Sequence, residues 1–239
     1  MPKFFRKIRR NLPSNGKIGK YLKYAIGEII LVVLGILIAL QINNWNETNK
    51  LHKRELTLLK ELKTNLTINI ENLENDIQIQ TNSVRSFHFI LELPENNLPY
   101  NDSIPNYLSD IDFAPDVVLV SSAFQTLKSS GLELIQSDSL RIEIVNLFEV
   151  DYPSLMQETR RLEDQLWSVV VIPLFQKHFS NYNGDWIPND YDSWLKDTEF
   201  FNMVSFRANL RNSSTMYKKK AVEQTKNVIE LIEKELATR

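Results

Sequence analysis

Residues 24–42 read YAIGEIILVVLGILIALQI, nineteen residues with a single charge, Glu28. A helix of that length rises about 28 Å, against the roughly 30 Å hydrocarbon core of a bilayer, so the stretch predicts one membrane crossing with little tilt. On its N-terminal side, residues 1–23 carry Lys3, Arg6, Lys7, Arg9, Arg10, Lys17, Lys20 and Lys23 with no Asp or Glu. Such a bias holds an N-terminus in the cytoplasm. On its C-terminal side, Trp45 within QINNWNE suits the outer interface, and no second stretch of comparable length and apolarity follows. Residues 43–239 are therefore expected outside the cytoplasm. A cleaved signal peptide shares the basic head, but its apolar run is usually about 7 to 15 residues and ends in a small-x-small site. Here the run is longer and closes with Ala39, Leu40 and Gln41, so it reads as a retained anchor.

The formal net charge of −2 conceals a segregated chain. Of 28 basic and 30 acidic residues, eight basic ones lie in residues 1–23 and one acidic residue, Glu28, lies in the span, which leaves 20 basic and 29 acidic in residues 43–239. A basic head suits anionic inner-leaflet lipid, and the acidic remainder excludes nucleic acid as a partner. With no cysteine, disulfides, thiolate chemistry and cysteine-bound metals are excluded. The organisation is thus a basic cytoplasmic segment at 1–23, a transmembrane helix at 24–42 and one extracytoplasmic domain at 43–239. Within the head, Phe4, Phe5, Ile8 and Leu12 share one side of a helix that can lie in the inner interface; a basic tail that only sets topology fits equally.

Inside the span, Gly35 and Ala39 fall within about 20° of Glu28 at 100° per residue. A carboxyl and two small residues on one stripe predict a helix–helix interface, with a copy of the chain or another membrane protein as partner. A lone carboxyl one turn from the interface, tolerated by reaching toward headgroups, is the plainer alternative.

KFFRKIRR at 3–10, KYLKYAIGEIILVVLGILIALQINNWNE at 20–47 and AFQTLKSSGLELIQSDSLRIEIVNLFEVDY at 123–152 together resemble a bacterial domain-of-unknown-function family, number 6090. The match at the span is specific, while the last hundred residues are similar in helical character only. The resemblance implies a single-pass protein of a Gram-negative inner membrane with a periplasmic helical domain. It implies no established activity and transfers no catalytic or binding residue.

Beyond the span, Leu51, Leu59, Leu62, Leu66, Ile70, Leu73, Ile77, Val84, Phe87 and Leu91 trace one stripe at helical spacing, with no stop before Pro94. Leu62, Leu73 and Val84 recur every eleven residues, the period of a nearly straight helix. Residues 94–116 hold four prolines and predict a long connection with at most a helical turn around 104–108. Asp110, Asp112 and Asp116 cluster there without the spacing of a calcium loop, so no metal is expected. Ser121 or Ser122 is expected to cap a short helix ended by Gly131, and Ser137 or Asp138 a second helix running to Pro153. A third follows through Leu155, Thr159, Leu162, Leu166, Val169, Val170 and Leu174, with Pro173 kinking or ending it. A last helix carries Leu210, Ser214, Tyr217, Ala221, Val228, Ile232 and Leu236, with an interruption expected near 212–215.

The serines lack a G-x-S-x-G turn or a neighbouring base, and His52, His88 and His178 are isolated from one another and from paired carboxylates. No catalytic residue, cofactor or metal site is expected, and the protein is read as non-enzymatic. The one candidate ligand loop is 181–194, where Tyr182, Asp185, Trp186, Tyr191 and Trp194 mix aromatics with acids; plugging the end of a helical bundle explains them as well. The fold expected is all-α, with the transmembrane helix continuing into a long helix of an extracytoplasmic antiparallel bundle. A scaffold or accessory role through protein partners follows most simply. Ligand sensing is the alternative, and with 23 residues in the cytoplasm it requires a membrane partner to carry the signal.

Overall fold

A computed structural model describes residues 17–113 and 116–238. The face formed by Phe4, Phe5, Ile8 and Leu12, and most of the basic segment with it, lies outside the described residues. The described residues are all-α apart from one hairpin, and the chain divides into two compact units between Arg54 and Glu55.

Helix α1 spans Lys17–Glu95, so the absence of any stop signal before Pro94 holds to within one residue. In the first unit its apolar side chains are uncovered on every side: Ile29 is 63% exposed, Leu31 71% and Ile38 59%. This is the one helix among the described residues long and apolar enough to cross a membrane.

The second unit is ordered by two rows of buried positions. Along α1 these are Glu55, Leu59, Leu62, Leu66, Asn69, Leu73, Asp76, Gln80, Ser83, Phe87 and Ile90, in alternating steps of four and three. The last helix, α8 (Thr198–Ala237), repeats the rule through Phe200, Val204, Arg207, Arg211, Ser214, Lys218, Ala221, Thr225, Val228 and Ile232. Both rows therefore have a seven-residue repeat. The eleven-residue spacing misplaces Val84, which is half-buried beside the buried Ser83, because polar residues occupy rungs that an apolar count skips. Between the rows Lys63 meets Glu233 at 2.8 Å, Glu74 meets Lys226 at 3.3 Å and Asp76 meets Lys218, so partners fall in opposite sequence order. The interruption expected near 212–215 does not occur; α8 is continuous.

Shorter helices fill the interval: α2 (Ile104–Asp112), α3 (Ser122–Ser130), α4 (Asp138–Asn146), α5 (Tyr152–Leu166), α6 (Ile172–His178) and α7 (Tyr191–Trp194). The connection expected at 94–116 thus contains more than two turns of helix. Ser137 caps α4 as expected, its hydroxyl accepting the Leu140 N–H. For α3 neither serine caps; instead Asn65 of α1 accepts the Ala123 N–H at 2.9 Å and the Ser122 hydroxyl at 2.9 Å. Gly131, at φ +98°, ends α3 in a conformation that a side chain disfavours.

Neither Pro153 nor Pro173 stops the chain. Each follows a π-helical turn, Leu147–Asp151 before α5 and Trp167–Val171 before α6. The N–H of Tyr152 bonds to the Leu147 carbonyl and that of Ile172 to the Trp167 carbonyl, and this wider turn admits the ring and missing N–H of the proline that comes next. The extra residue also shifts the helical phase: Val169, expected on the apolar stripe, is 74% exposed, and Val171 is buried in its place.

The core has two large apolar clusters. One holds Leu59, Leu62, Leu66, Phe124, Phe148 and Ile232, and the other Phe87, Ile90, Leu108, Phe175, Trp194 and Phe200. A smaller group around Leu73, Leu155 and Ala221 belongs to neither.

Candidate functional site

The stretch expected as a ligand loop is a β-hairpin followed by a helical turn. Strand β1 (Phe179–Tyr182) pairs antiparallel with β2 (Asp185–Pro188), and the turn residues Asn183 and Gly184 both have positive φ. Asn-Gly is the preferred pair for such a turn, and that signal was present in the sequence. The five candidate residues are not gathered around one space. Tyr182 and Asp185 face each other at the exposed tip, with Tyr182 68% exposed. Trp186 donates its indole N–H to Asp112 Oδ2 at 3.0 Å and packs its ring on Phe175; Tyr191 donates its hydroxyl to the Leu98 carbonyl at 2.8 Å. Trp194 is fully buried against Phe179, Phe200 and Phe201. Burial raises the Tyr191 pKa, which keeps that hydroxyl a donor.

Nearby, Asp197 caps α8 by accepting the N–H groups of Glu199 and Phe200, and it also receives Lys177 at 2.5 Å and His178 at 2.6 Å. The Lys177 hydrogen bond is the main reason its carboxyl lies well below the usual carboxylate range, and the Lys177 ammonium is raised in turn.

In the first unit Glu28, Gly35 and Ala39 are all helical, and Glu28 and Ala39 are exposed. A side chain added at Gly35 would touch nothing. Glu28 lines a shallow groove of about 290 Å³ with Ala25, Ile29, Val32 and Val33.

A larger feature comes from residues that apolar counting passes over. The buried row of α8 carries three cations, Arg207, Arg211 and Lys218, each at most 2% exposed. Arg207 donates to Glu163 Oε2 of α5 at 3.2 Å and to the Ile111 carbonyl at 2.5 Å, with its guanidinium 5.8 Å from the Phe87 ring and 5.7 Å from the Trp167 ring. Arg211 donates to the Phe113 carbonyl at 3.0 Å and lies 3.6 Å from Glu163; burial brings its pKa down to about 10, against the opposing pull of Glu163. Lys218 is lowered by burial too, with Asp76 acting against the shift.

Much of this polar row holds connecting backbone. Asn69 accepts the Val120 N–H at 2.6 Å and donates to the Val120 carbonyl at 3.0 Å, as a neighbouring strand would. Asn72 donates to the Val118 carbonyl, Ser83 to the Asp110 carbonyl and Ser86 to the Asp110 carboxylate. Without regular structure of its own, the described part of 113–121 takes hydrogen bonds from Asn69 and Asn72 of α1 and Arg211 of α8. The three aspartates considered as a cluster go separate ways: Asp110 to Ser86, Asp112 to Trp186 and Asp116 to Arg160.

Where α2 and α5 face each other, a cleft of about 540 Å³ is lined by Ser109, Asp112, Phe113, Arg160, Glu163, Asp164 and Trp167. Arg160 is engaged by Asp164 at 2.9 Å and Asp116 at 3.3 Å. Two carboxylate oxygens, Asp112 Oδ1 and Glu163 Oε1, are buried without a hydrogen-bond partner among the described residues.

Sequence reasoning missed Glu163, Arg207, Arg211 and Lys218, and placed Leu210 and Tyr217 on the stripe; both are half-buried, one position from Arg211 and Lys218. Stepping back from Ile232 by alternating four and three would have landed on the cations.

A model of a family of unknown function, DUF6090, matches residues 28–213. No curated protein and no solved structure matches the chain.

Proposed function

We propose that this chain, which belongs to the DUF6090 family, is a single-pass bacterial inner-membrane protein that acts by binding rather than catalysis. In this reading the N-terminus is cytoplasmic and residues 43–239 form a periplasmic antiparallel helical bundle, a scaffold or accessory subunit for membrane protein partners or for copies of itself. The observation that carries it is the first part of α1, whose apolar side chains are exposed on all sides with Glu28 among them. Apolar surface of that extent belongs in lipid. A carboxyl within hydrocarbon costs about 2.5 to 3.5 kcal/mol at the centre and less at one turn from the interface, where Glu28 lies, and the cost that remains favours a protein neighbour on the side of Glu28, Gly35 and Ala39.

Reporter fusions test the topology: residue 1 should report inside and residue 239 outside, and a cytoplasmic C-terminus removes the reading. Cross-linking in native membranes tests the partner. Glu28→Leu should reduce the cross-linked species, and unchanged cross-linking discards the span interface.

A second reading, ligand sensing through a membrane partner, is favoured by the cleft between α2 and α5. There a buried carboxylate, Glu163, keeps one oxygen without a donor among the described residues, in a space of ligand size.

A further inference from the structure

The polar groups around that cleft are unevenly spent. Its cations are committed: Arg160 to Asp116 and Asp164, and Arg207, behind the wall, to Glu163, the Ile111 carbonyl and two aromatic rings. Behind the wall Arg211 keeps its Nε without a partner, but among the described residues that line the cleft the unspent capacity is acceptor, at Asp112 Oδ1 and Glu163 Oε1. Glu163 is only 5% exposed, so water does not freely satisfy it, and a buried polar atom left unpaired costs about 1 to 3 kcal/mol, more when charged. A group that brings N–H donors removes that deficit; an anion would worsen it.

Metal coordination is not what the residues prepare, since among the described residues no three His, Asp or Glu side chains converge as ligands. The walls supply something else. Phe113 is 58% exposed and Trp167 is half-buried, giving the cleft aromatic surface beside its acids. Trp167 also opens the π-helical turn Trp167–Val171, a backbone irregularity of the kind that gathers at functional sites. Aromatic walls with carboxylates at one end suit an organic cation, whose charge meets the acids and whose body meets the rings.

We propose that the cleft between α2 and α5 binds a small organic cation with a primary ammonium or guanidinium group, received by Asp112 and Glu163 and flanked by Phe113 and Trp167. This deepens the ligand-sensing reading, and it depends on neither the topology nor the span partner.

The test is calorimetric titration of the full chain in detergent with 2-phenylethylamine, agmatine and putrescine, with neutral 2-phenylethanol as control. Saturable binding of at least one amine is expected, none of the alcohol, and at least tenfold weaker binding in Asp112→Asn and Glu163→Gln. Comparing the three amines separates ammonium from guanidinium recognition. Glu163→Gln weakens the hold on Arg207 and Arg211, so its thermal unfolding is recorded first. Should it fail to fold, Asp112→Asn decides alone, because its amide oxygen still accepts from Trp186. No saturable binding of any amine, equal binding of the alcohol, or full binding by the folded variants overturns the proposal. Failure here with correct topology leaves the scaffold reading intact, whereas binding with failed Glu28 cross-linking leaves the cleft standing alone.

Discussion

Around Leu59, Leu62, Val228 and Ile232 the rows of α1 and α8 meet as aliphatic side chains, whereas over residues 69–83 and 207–225 the same rungs carry amides, carboxylates and cations. The helices and the repeat are the same in both regions, so geometry does not account for the difference. What differs is the company: the apolar region meets α3 and α4, which apart from the Asn65 cap of α3 satisfy their own backbones, while the polar region meets segment 113–121, which has no regular structure to do so. Buried charge is a weak source of stability, since desolvation offsets most of the attraction, but it fixes which groups must face each other. The apolar region therefore supplies cohesion and the polar region supplies register.

The sharpest way to break this comparison is Glu163→Ala. It strands Arg207 and Arg211 in the core and should cost about 3 to 5 kcal/mol in urea unfolding, as removing one member of a buried ionic group does. Leu62→Ala in the apolar region should cost about 2 to 5 kcal/mol by opening a cavity. A loss well under 1 kcal/mol at Glu163 would mean that water already solvates the polar region. Asn69→Leu is smaller, about 1 to 3 kcal/mol, because it leaves the Val120 N–H and carbonyl unpaired; hydrogen exchange at Val120 should rise with it.

The next effect depends on pH. The folded carboxyl of Asp197 lies below its ordinary value, so the stability it contributes is complete above about pH 4 and is lost as pH falls below that. Asp197→Asn should thus be less stable than the parent at pH 7, with the gap closing in acid unfolding curves toward pH 2. A gap constant with pH would mean that neither Lys177 nor the cap holds the folded carboxyl below its ordinary value. Least of all should be the joint exchange Asp76→Leu, Gln80→Leu and Lys218→Met, which removes both buried charges and the amide bonded to Asp76 and is expected near zero in unfolding free energy, while Lys218→Met alone is clearly destabilising.

Legibility in the sequence followed the same division. The long apolar helix at the start of the described residues, the length of α1 and the cap at Ser137 could be read because each rests on apolarity or on a local hydrogen bond. The cap of α3 could not, since its acceptor, Asn65, lies 58 positions away from the Ala123 N–H. Arg207, Arg211 and Lys218 were hidden for a related reason: cations on core rungs look like surface until Glu163 and Asp76 are brought to them by the fold. The hairpin at 179–188 was hidden differently, by aromatics that drew attention from the Asn183-Gly184 pair. Of the candidate ligand residues, Trp186, Tyr191 and Trp194 turned inward, and the acids that line a cleft came from α2 and α5.

The two π-helical turns tie chain length to proline content. A π turn holds one residue more than the α-helical turn it replaces, so deleting a residue within Leu147–Asp151 or Trp167–Val171 restores the regular hydrogen-bond step. That restored step would set Pro153 or Pro173 inside an unbroken helix, where a proline costs about 3 kcal/mol. Deleting the extra residue at either place should therefore be better tolerated when the proline is exchanged with it.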